Sequence, residues 1–169
     1  MSAQRWTPAY VGLGSNLDGP AAQIERAFVA LARLPGTQLV ARSRRYRSRP
    51  LGPQDQPDFV NAVAGLITRL PAEQLLGQLQ QLEVDLGRAQ PIRRWGPRLI
   101  DFDLLLYGVH SQSTPTLTLP HPGLLERNWV LHPLKDIAPA LEVPGRGRVA
   151  ELAAGIGTEG IELLDDAVT

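Results

Sequence analysis

The chain has no cysteine, a single methionine and a single lysine, Lys135, among its 169 residues. Without thiols it can build no disulfide scaffold, thiolate metal site or cysteine nucleophile. Net charge is zero, so no excess of one sign favours a nucleic acid or a membrane surface. No run approaches the roughly 20 apolar residues of a membrane span, and residues 1–6 lack the apolar stretch of a signal peptide. A cytoplasmic protein with no membrane or nucleic-acid partner is expected.

Hydrophobic residues make up 43%, enough for one well-buried domain over residues 1–169. We expect a core over about 8–141 and a peripheral tail over 142–169. Nearly all positive charge is arginine, whose planar fork suits phosphate and carboxylate.

A first strand ends in Gly12-Leu13-Gly14-Ser15-Asn16-Leu17. The third glycine of a dinucleotide fingerprint is missing, and the pattern favours a structural strand-to-helix turn. Ser15, Asn16 or Asp18 can cap a helix that carries Ala22, Ile24, Ala27, Phe28, Leu31 and Leu34 and stops at Pro35-Gly36. A strand-like stretch over 37–48 follows, with Arg42, Arg44, Arg45, Arg47 and then Arg49. It reads as a solvated face or, less readily, as an RNA-binding strip, since no aromatics interleave for base stacking. The stiff loop that comes next carries Pro50, Leu51, Gly52, Pro53 and Pro57.

Phe59 and Asn61 share one face of the next strand by its period of two. They are either a core ring beside an exposed amide, or a pocket that stacks and hydrogen-bonds a flat heterocycle. Pro71 opens a helix through Leu75, Leu76, Leu79, Leu82 and Leu86 to Gly87. Glu83 near its last turn opposes the helix dipole, which points to a partner elsewhere. The loop over 88–97 holds arginines and Trp95, a ring costly to expose unless it closes over something.

From Leu99 the pattern alternates, with Ile100, Phe102, Leu104 and Leu106 on one face and Asp101, Asp103, Leu105 and Tyr107 on the other. Two carboxylates at i, i+2 inside an apolar strand need a reason. A solvated edge or ion pairs with Arg94 or Arg98 give one reason, and a Mg2+ site gives the other. His121 reads as a turn residue or as a ligand to metal or phosphate; His110 and His132 read as structural. Residues 127–134 read as a helix packed by Leu124, Leu125, Val130, Leu131 and Leu134.

The blocks Gly12-x-Gly-Ser-Asn-Leu, Pro50-Leu-Gly-Pro-Gln-Asp-Gln-Pro-Asp-Phe-Val-Asn61, Arg94-Trp-Gly-Pro-Arg-x-x-Asp-x-Asp103 and Leu117-Thr-x-Pro-His121 occur in this order. Together they resemble the 6-hydroxymethyl-7,8-dihydropterin pyrophosphokinase family of folate biosynthesis, from about residue 10 to 141. The resemblance implies an ATP-dependent diphosphotransferase that moves the terminal pyrophosphate of ATP to the pterin hydroxymethyl group and releases AMP. It implies two Mg2+ on Asp101 and Asp103, and a catalytic set of Arg88, Arg94, Arg98, Asp101 and Asp103. Glu83, Trp95, Leu104, Thr118, His121 and Arg127 fall on the ATP side. Ser48, Leu51, Phe59, Asn61 and Trp129 fall on the pterin side, with Phe59 and Trp129 sandwiching the ring. Two Pro/Gly/Arg loops, over 47–58 and 87–97, together with the strand-to-helix loop at Gly14, resemble the family's mobile loops that close over the substrates.

This chain departs from the family pattern at Gln90, Pro91 and Ile92, at Thr116 in place of an arginine, at Phe102 between the carboxylates and at Phe59. The implied fold is α+β: a ferredoxin-like βαββαβ core, an antiparallel sheet with flanking helices mainly on one side, and a C-terminal extension. A monomer acting on ATP and hydroxymethyldihydropterin is expected. The rival readings are a ferredoxin-like RNA-binding module using the arginines of 42–49, and an inactive homologue.

Overall fold

The computed structural model describes residues 5–50, 55–87 and 99–164. The core runs β1 (Thr7–Ser15), α1 (Pro20–Ala32), β2 (Thr37–Arg42), β3 (Tyr46–Ser48), β4 (Phe59–Thr68), α2 (Ala72–Asp85) and β5 (Asp101–Tyr107). β1 lies between β4 and β5, and β2 and β3 pair opposite ends of β4, all antiparallel. This is the ferredoxin-like βαββαβ order. The single strand expected over 37–48 is broken because Ser43 replaces ladder bonds with its side chain. Its Oγ accepts from the Val63 amide at 2.8 Å and donates to the Arg44 carbonyl at 2.7 Å.

One face of the sheet carries Ala9, Val11, Leu13, Val60, Ala62, Ala64, Leu66, Phe102 and Leu104, packed against Ile24, Phe28 and Leu31 of α1 and Leu75 and Leu79 of α2. Fully burying each large side chain contributes roughly 1.5–3 kcal/mol. α1 starts as its sequence punctuation suggests, with Pro20 in its first turn, but its N-cap is Gly19 with no side-chain bond. The capping expected of Ser15, Asn16 or Asp18 is therefore corrected. Asn16 is 1% exposed and instead donates to Gln56 Oε1 at 3.0 Å and to the Pro57 carbonyl at 2.9 Å, tying down the loop before β4.

Two further expectations change. Gly12 and Gly14 lie within β1, opposite Val63 and Asn61 on β4 and Asp103 and Asp101 on β5, and not in a turn. On β5 the alternation holds to Leu104 and then slips. Tyr10 pairs with Leu106 while Val11 pairs with Leu104, so Leu105 is the extra residue of a β-bulge. Leu106 consequently joins Leu105 in the second core, and Tyr107 turns to the first.

That second core fills the other sheet face, where the expectation of helices mainly on one side fails. After β6 (Gln112–Ser113), β7 (Thr118–Leu119) and a 3-10 turn (Leu124–Glu126), α3 (Asn128–Ile137) packs against Val63 and Leu105 through Val130, Leu131 and Leu134. The hairpin β8 (Glu142–Val143) and β9 (Gly147–Arg148) leads to α4 (Val149–Ile156), which adds Val149 and Ala153 to this core. The final strand β10 (Ile161–Leu163) pairs with β3, making the sheet six-stranded. The tail expected to be peripheral is built into the fold up to residue 164.

The arginine strip resolves into ion pairs within the chain. Arg42 and Arg45 meet Glu25, Arg44 meets Asp136, and Arg47 meets Glu162. The observation that motivated an RNA-binding strip thereby has another explanation.

Candidate active site

The strand register gathers the expected site on the face of the sheet shared with α3. Asn61 on β4, Gly14 on β1 and Asp101 on β5 form one row across three strands, and Gly12 stands beside Asp103 in the next such row. At a strand spacing of about 4.8 Å, Asn61 and Asp101 are about 10 Å apart with only a glycine between them. A Cβ on Gly14 would lie 3.5 Å from Asn61 Oδ1 and 3.9 Å from Phe59 Cδ1. At half-buried Gly14 the missing side chain leaves a trough floored by backbone between Asn61 and Asp101, whereas beside Gly12 the Leu105 side chain fills the space, 3.4 Å from where a Cβ would stand.

Asn61 is 5% exposed, so the exposed-amide reading does not hold. Its Nδ2 donates to Ser48 Oγ at 2.8 Å and to the Tyr46 carbonyl at 3.4 Å. Oδ1 is the atom nearest a Cβ on Gly14. With the amide held through its nitrogen, this oxygen is suited to a ligand N–H, because leaving a buried acceptor unmet costs about 1–3 kcal/mol. Ser48 is buried opposite Phe59, and Trp129, half-buried in the second core, lies in the first turn of α3.

At the other end of the row, Asp101 and Asp103 are both partly exposed on one face of β5. The edge of this strand is secured from behind, where Glu83 on α2 is 7% exposed and its Oε2 accepts from the Phe102 amide at 2.9 Å. This bond supplies the partner that its unfavourable helix position called for. It fixes the backbone between the carboxylates, a role a motif reading does not reveal. Phe102 is buried in the first core.

The His121 amide donates to the Leu105 carbonyl at 2.9 Å. Its Nδ1 accepts from the Gly123 amide at 3.0 Å, which leaves Nε2, 3.8 Å from Asp103 Oδ1, to carry the proton of the neutral ring. Burial lowers its pKa below 6.5, opposed by Asp103 and reinforced by the charge of Arg127. Arg127 lies flat over Gly123, where a Cβ would come within 2.5 Å of its Cζ. The structure therefore brings together Asp103, His121 and Arg127, with Thr118 half-exposed on β7 and Leu104 buried behind the carboxylate face. Thr116, which stands where an arginine is common, donates to Glu73 Oε2 at 3.1 Å. The expected Leu51, Arg88, Arg94, Trp95 and Arg98 lie outside the described residues.

Among the described residues no three His, Asp or Glu groups cluster to enclose a metal. Two hard carboxylates nevertheless fit Mg2+, which keeps several waters and takes phosphate oxygens as its remaining ligands. No helix among the described residues is long and apolar enough to cross a membrane.

Residues 10–139 match the family model described as 7,8-dihydro-6-hydroxymethylpterin-pyrophosphokinase. The chain is 49% identical over 158 residues to a 2-amino-4-hydroxy-6-hydroxymethyldihydropteridine pyrophosphokinase of Pseudomonas aeruginosa, covering 94% of this chain and 97% of that one. A protein of the same description from Haemophilus influenzae is 46% identical over 144 residues, 85% of this chain and 89% of its own. Among solved structures, a Plasmodium falciparum HPPK-DHPS crystal structure matches 89% of this chain with a TM-score of 0.65 at 12% identity. This chain covers 43% of that longer one, and the likeness is one of fold. With the family model matched over most of its length and near-full-length relatives sharing almost half their residues, the chain belongs to the 7,8-dihydro-6-hydroxymethylpterin-pyrophosphokinase family.

Proposed function

We infer that the family's reaction, transfer of pyrophosphate from ATP to 6-hydroxymethyl-7,8-dihydropterin in folate biosynthesis, runs in the trough between Asn61 and the Asp101/Asp103 pair. The observation that supports this reading is the row Asn61, Gly14, Asp101, a buried amide and a carboxylate pair on one face of the sheet with a glycine between them. The pterin hydroxyl gives up its proton to solvent as its oxygen attacks the β-phosphorus of ATP, the bond from that phosphorus to the α–β bridging oxygen breaks, and AMP leaves with that oxygen. Phosphoryl-type transfer depends mainly on positioning and charge neutralisation, so the lack of a side-chain nucleophile is no obstacle.

Asp101 and Asp103 would hold two Mg2+, which supply charge neutralisation on the triphosphate. Asn61 Oδ1 accepts from the pterin edge, and Ser48 fixes the amide from behind. Phe59 and Trp129 flank the ring, with each aromatic pair contributing roughly 0.5–1.5 kcal/mol beyond area burial. Arg127 and a neutral His121, held by Gly123, serve the phosphate end beside Asp103. Thr118 and the backbone of Leu104 lie toward ATP. Arg88, Arg94 and Arg98 are assigned phosphate contacts, Trp95 closure over the site, and Leu51 a backbone contact to pterin, on the family pattern. In this proposal Glu83 joins the ATP side by holding the β5 backbone. The enzyme is taken to be a cytoplasmic monomer with one domain and small-molecule partners.

The test is AMP release from ATP, Mg2+ and hydroxymethyldihydropterin. Asp101→Ala and Asp103→Ala are each expected to lower turnover by at least about a hundredfold, since several kcal/mol of charge stabilisation are removed. Wild-type turnover in both variants would sink the carboxylate assignment.

A further inference from the structure

The two proposed walls of the pterin pocket belong to different layers of the fold: Trp129 to α3, and Ser48, Phe59 and Asn61 to β3 and β4. A ring held between two aromatic planes needs carbon contacts of about 3.5–4.0 Å on each side. A displacement of one layer by an ångström would forfeit much of that contact. Something must therefore set the gap, and packing of aliphatic side chains alone tolerates small slides.

Trp129 and Asp136 are seven residues apart in α3, two turns, and so share one helix face. Asp136 fixes its end of that face to the strand wall. Its side chain is 4% exposed, and its Oδ1 accepts from Arg44 Nη2 at 2.7 Å. Oδ2 accepts from the Tyr46 hydroxyl at 2.8 Å, from Arg44 Nε at 3.1 Å and from the Arg44 amide at 3.3 Å. Arg44 Nη2 also reaches the Tyr46 hydroxyl at 3.3 Å, which closes the cluster. Burial and the bond to Asp136 raise the pKa of the Tyr46 hydroxyl, and the bond to Asp136 raises that of Arg44, so every donor keeps its proton at neutral pH.

The cluster continues directly into the pocket. Tyr46 is paired with Asn61, its carbonyl accepts from Asn61 Nδ2, and Ser48 is two residues further along the same side of β3. The carboxylates of β5 are separated from this wall by β1. A buried ion pair is seldom more stabilising than well-packed apolar groups of similar volume, but its several directed bonds fix distance and orientation.

We propose that Asp136, clamped by Arg44 and Tyr46, is a positioning residue that sets the spacing between the α3 wall and the β3–β4 wall of the pterin pocket. It acts on the pterin end of the site and not on the phosphate end. The proposal rests on the functional reading above.

Asp136→Asn and Tyr46→Phe test it by measurement of kcat and of KM for each substrate. The expected result is a KM for hydroxymethyldihydropterin raised about tenfold in Asp136→Asn and about threefold in Tyr46→Phe. KM for ATP and kcat should remain within about twofold in both. A general loosening of the fold would move all three parameters together, and that outcome overturns the proposal, as does an unchanged pterin KM. Tyr46→Phe removes one hydroxyl and keeps the buried ring, so it carries the test if Asp136→Asn does not fold. A wild-type protein that releases no pterin-dependent AMP overturns the functional reading and this proposal together; an active wild type with flat pterin KM in the variants overturns this proposal alone.

Discussion

Gly14 shows how a residue without a side chain can define a site. It occupies the middle strand between the amide of Asn61 and the carboxylate of Asp101, and its backbone lies in the ordinary strand region. Gly14→Ala should therefore fold well, because the new Cβ meets Asn61 Oδ1 and Phe59 Cδ1 at ordinary contact distances. Reduced freedom of the unfolded chain would even stabilise the variant by up to about 1 kcal/mol. The methyl group nevertheless intrudes on the space beside Asn61 Oδ1. We expect the KM for pterin to rise about tenfold with an unchanged or higher melting temperature, read by steady-state kinetics and calorimetry. An equal or lower pterin KM would show that the heterocycle does not lie over Gly14. The carboxylates, Asn61 and His121 were legible as candidates because each is chemically out of place in its local pattern. Gly14 was legible only as part of a loop closing over the substrates, since a Gly-x-Gly pair before a polar segment reads as a turn until the register places it in a strand.

Among the elements, the C-terminal extension departs furthest from what periodicity suggests. Short strands of two or three residues carry too few side chains for a pattern to emerge, and their pairing is long-range. Residues 157–164 connect both layers of the proposed pterin pocket. The Gly157 carbonyl bonds with His132 Nε2 at 2.8 Å and the Glu159 carbonyl accepts from Asn128 Nδ2 at 2.7 Å, both on α3. β10 then pairs with β3, and the Leu164 amide donates to the Arg45 carbonyl at 2.9 Å. Asn128 is 9% exposed, and Asn128→Ala removes its bond to the Glu159 carbonyl, which should destabilise this segment by about 0.5–1.5 kcal/mol. The expected signature is faster amide exchange confined to 161–164 and β3, with protection of β1 and β4 kept. Uniformly faster exchange across the sheet would show that the extension is not a separate strap. The bulge at Leu105 was equally hidden. A period-two reading propagates one phase, whereas the extra residue on β5 swaps the faces of Leu106 and Tyr107.

The molecule as a whole separates stability from chemistry across the thickness of one sheet. The face covered by α1 and α2 is apolar from Ala9 through Leu104, whereas the opposite face is apolar where α3 and α4 cover it and gives way to the trough at Gly14. The βαββαβ order was legible because the first two helices have clean stripes and stop signals. In the second layer α3 was legible as a helix packed through Val130, Leu131 and Leu134, but the sheet face it covers was not, because an apolar stripe does not say which side of a sheet it packs on. This division predicts that a core substitution far from the trough lowers stability while sparing the site. Leu75 on α2 is fully buried in the first core. Leu75→Ala should cost about 2–5 kcal/mol, measured by chemical denaturation, through lost burial and the cavity left behind. At temperatures where the variant remains folded, kcat and both KM values should stay within about twofold of wild type, because Leu75 meets only the apolar side of β5 in the first core, away from the carboxylates, and the Glu83–Phe102 bond lies two turns further along α2. A selective rise in the KM for ATP would indicate that α2 transmits strain to β5 through that bond, and that the two faces are coupled.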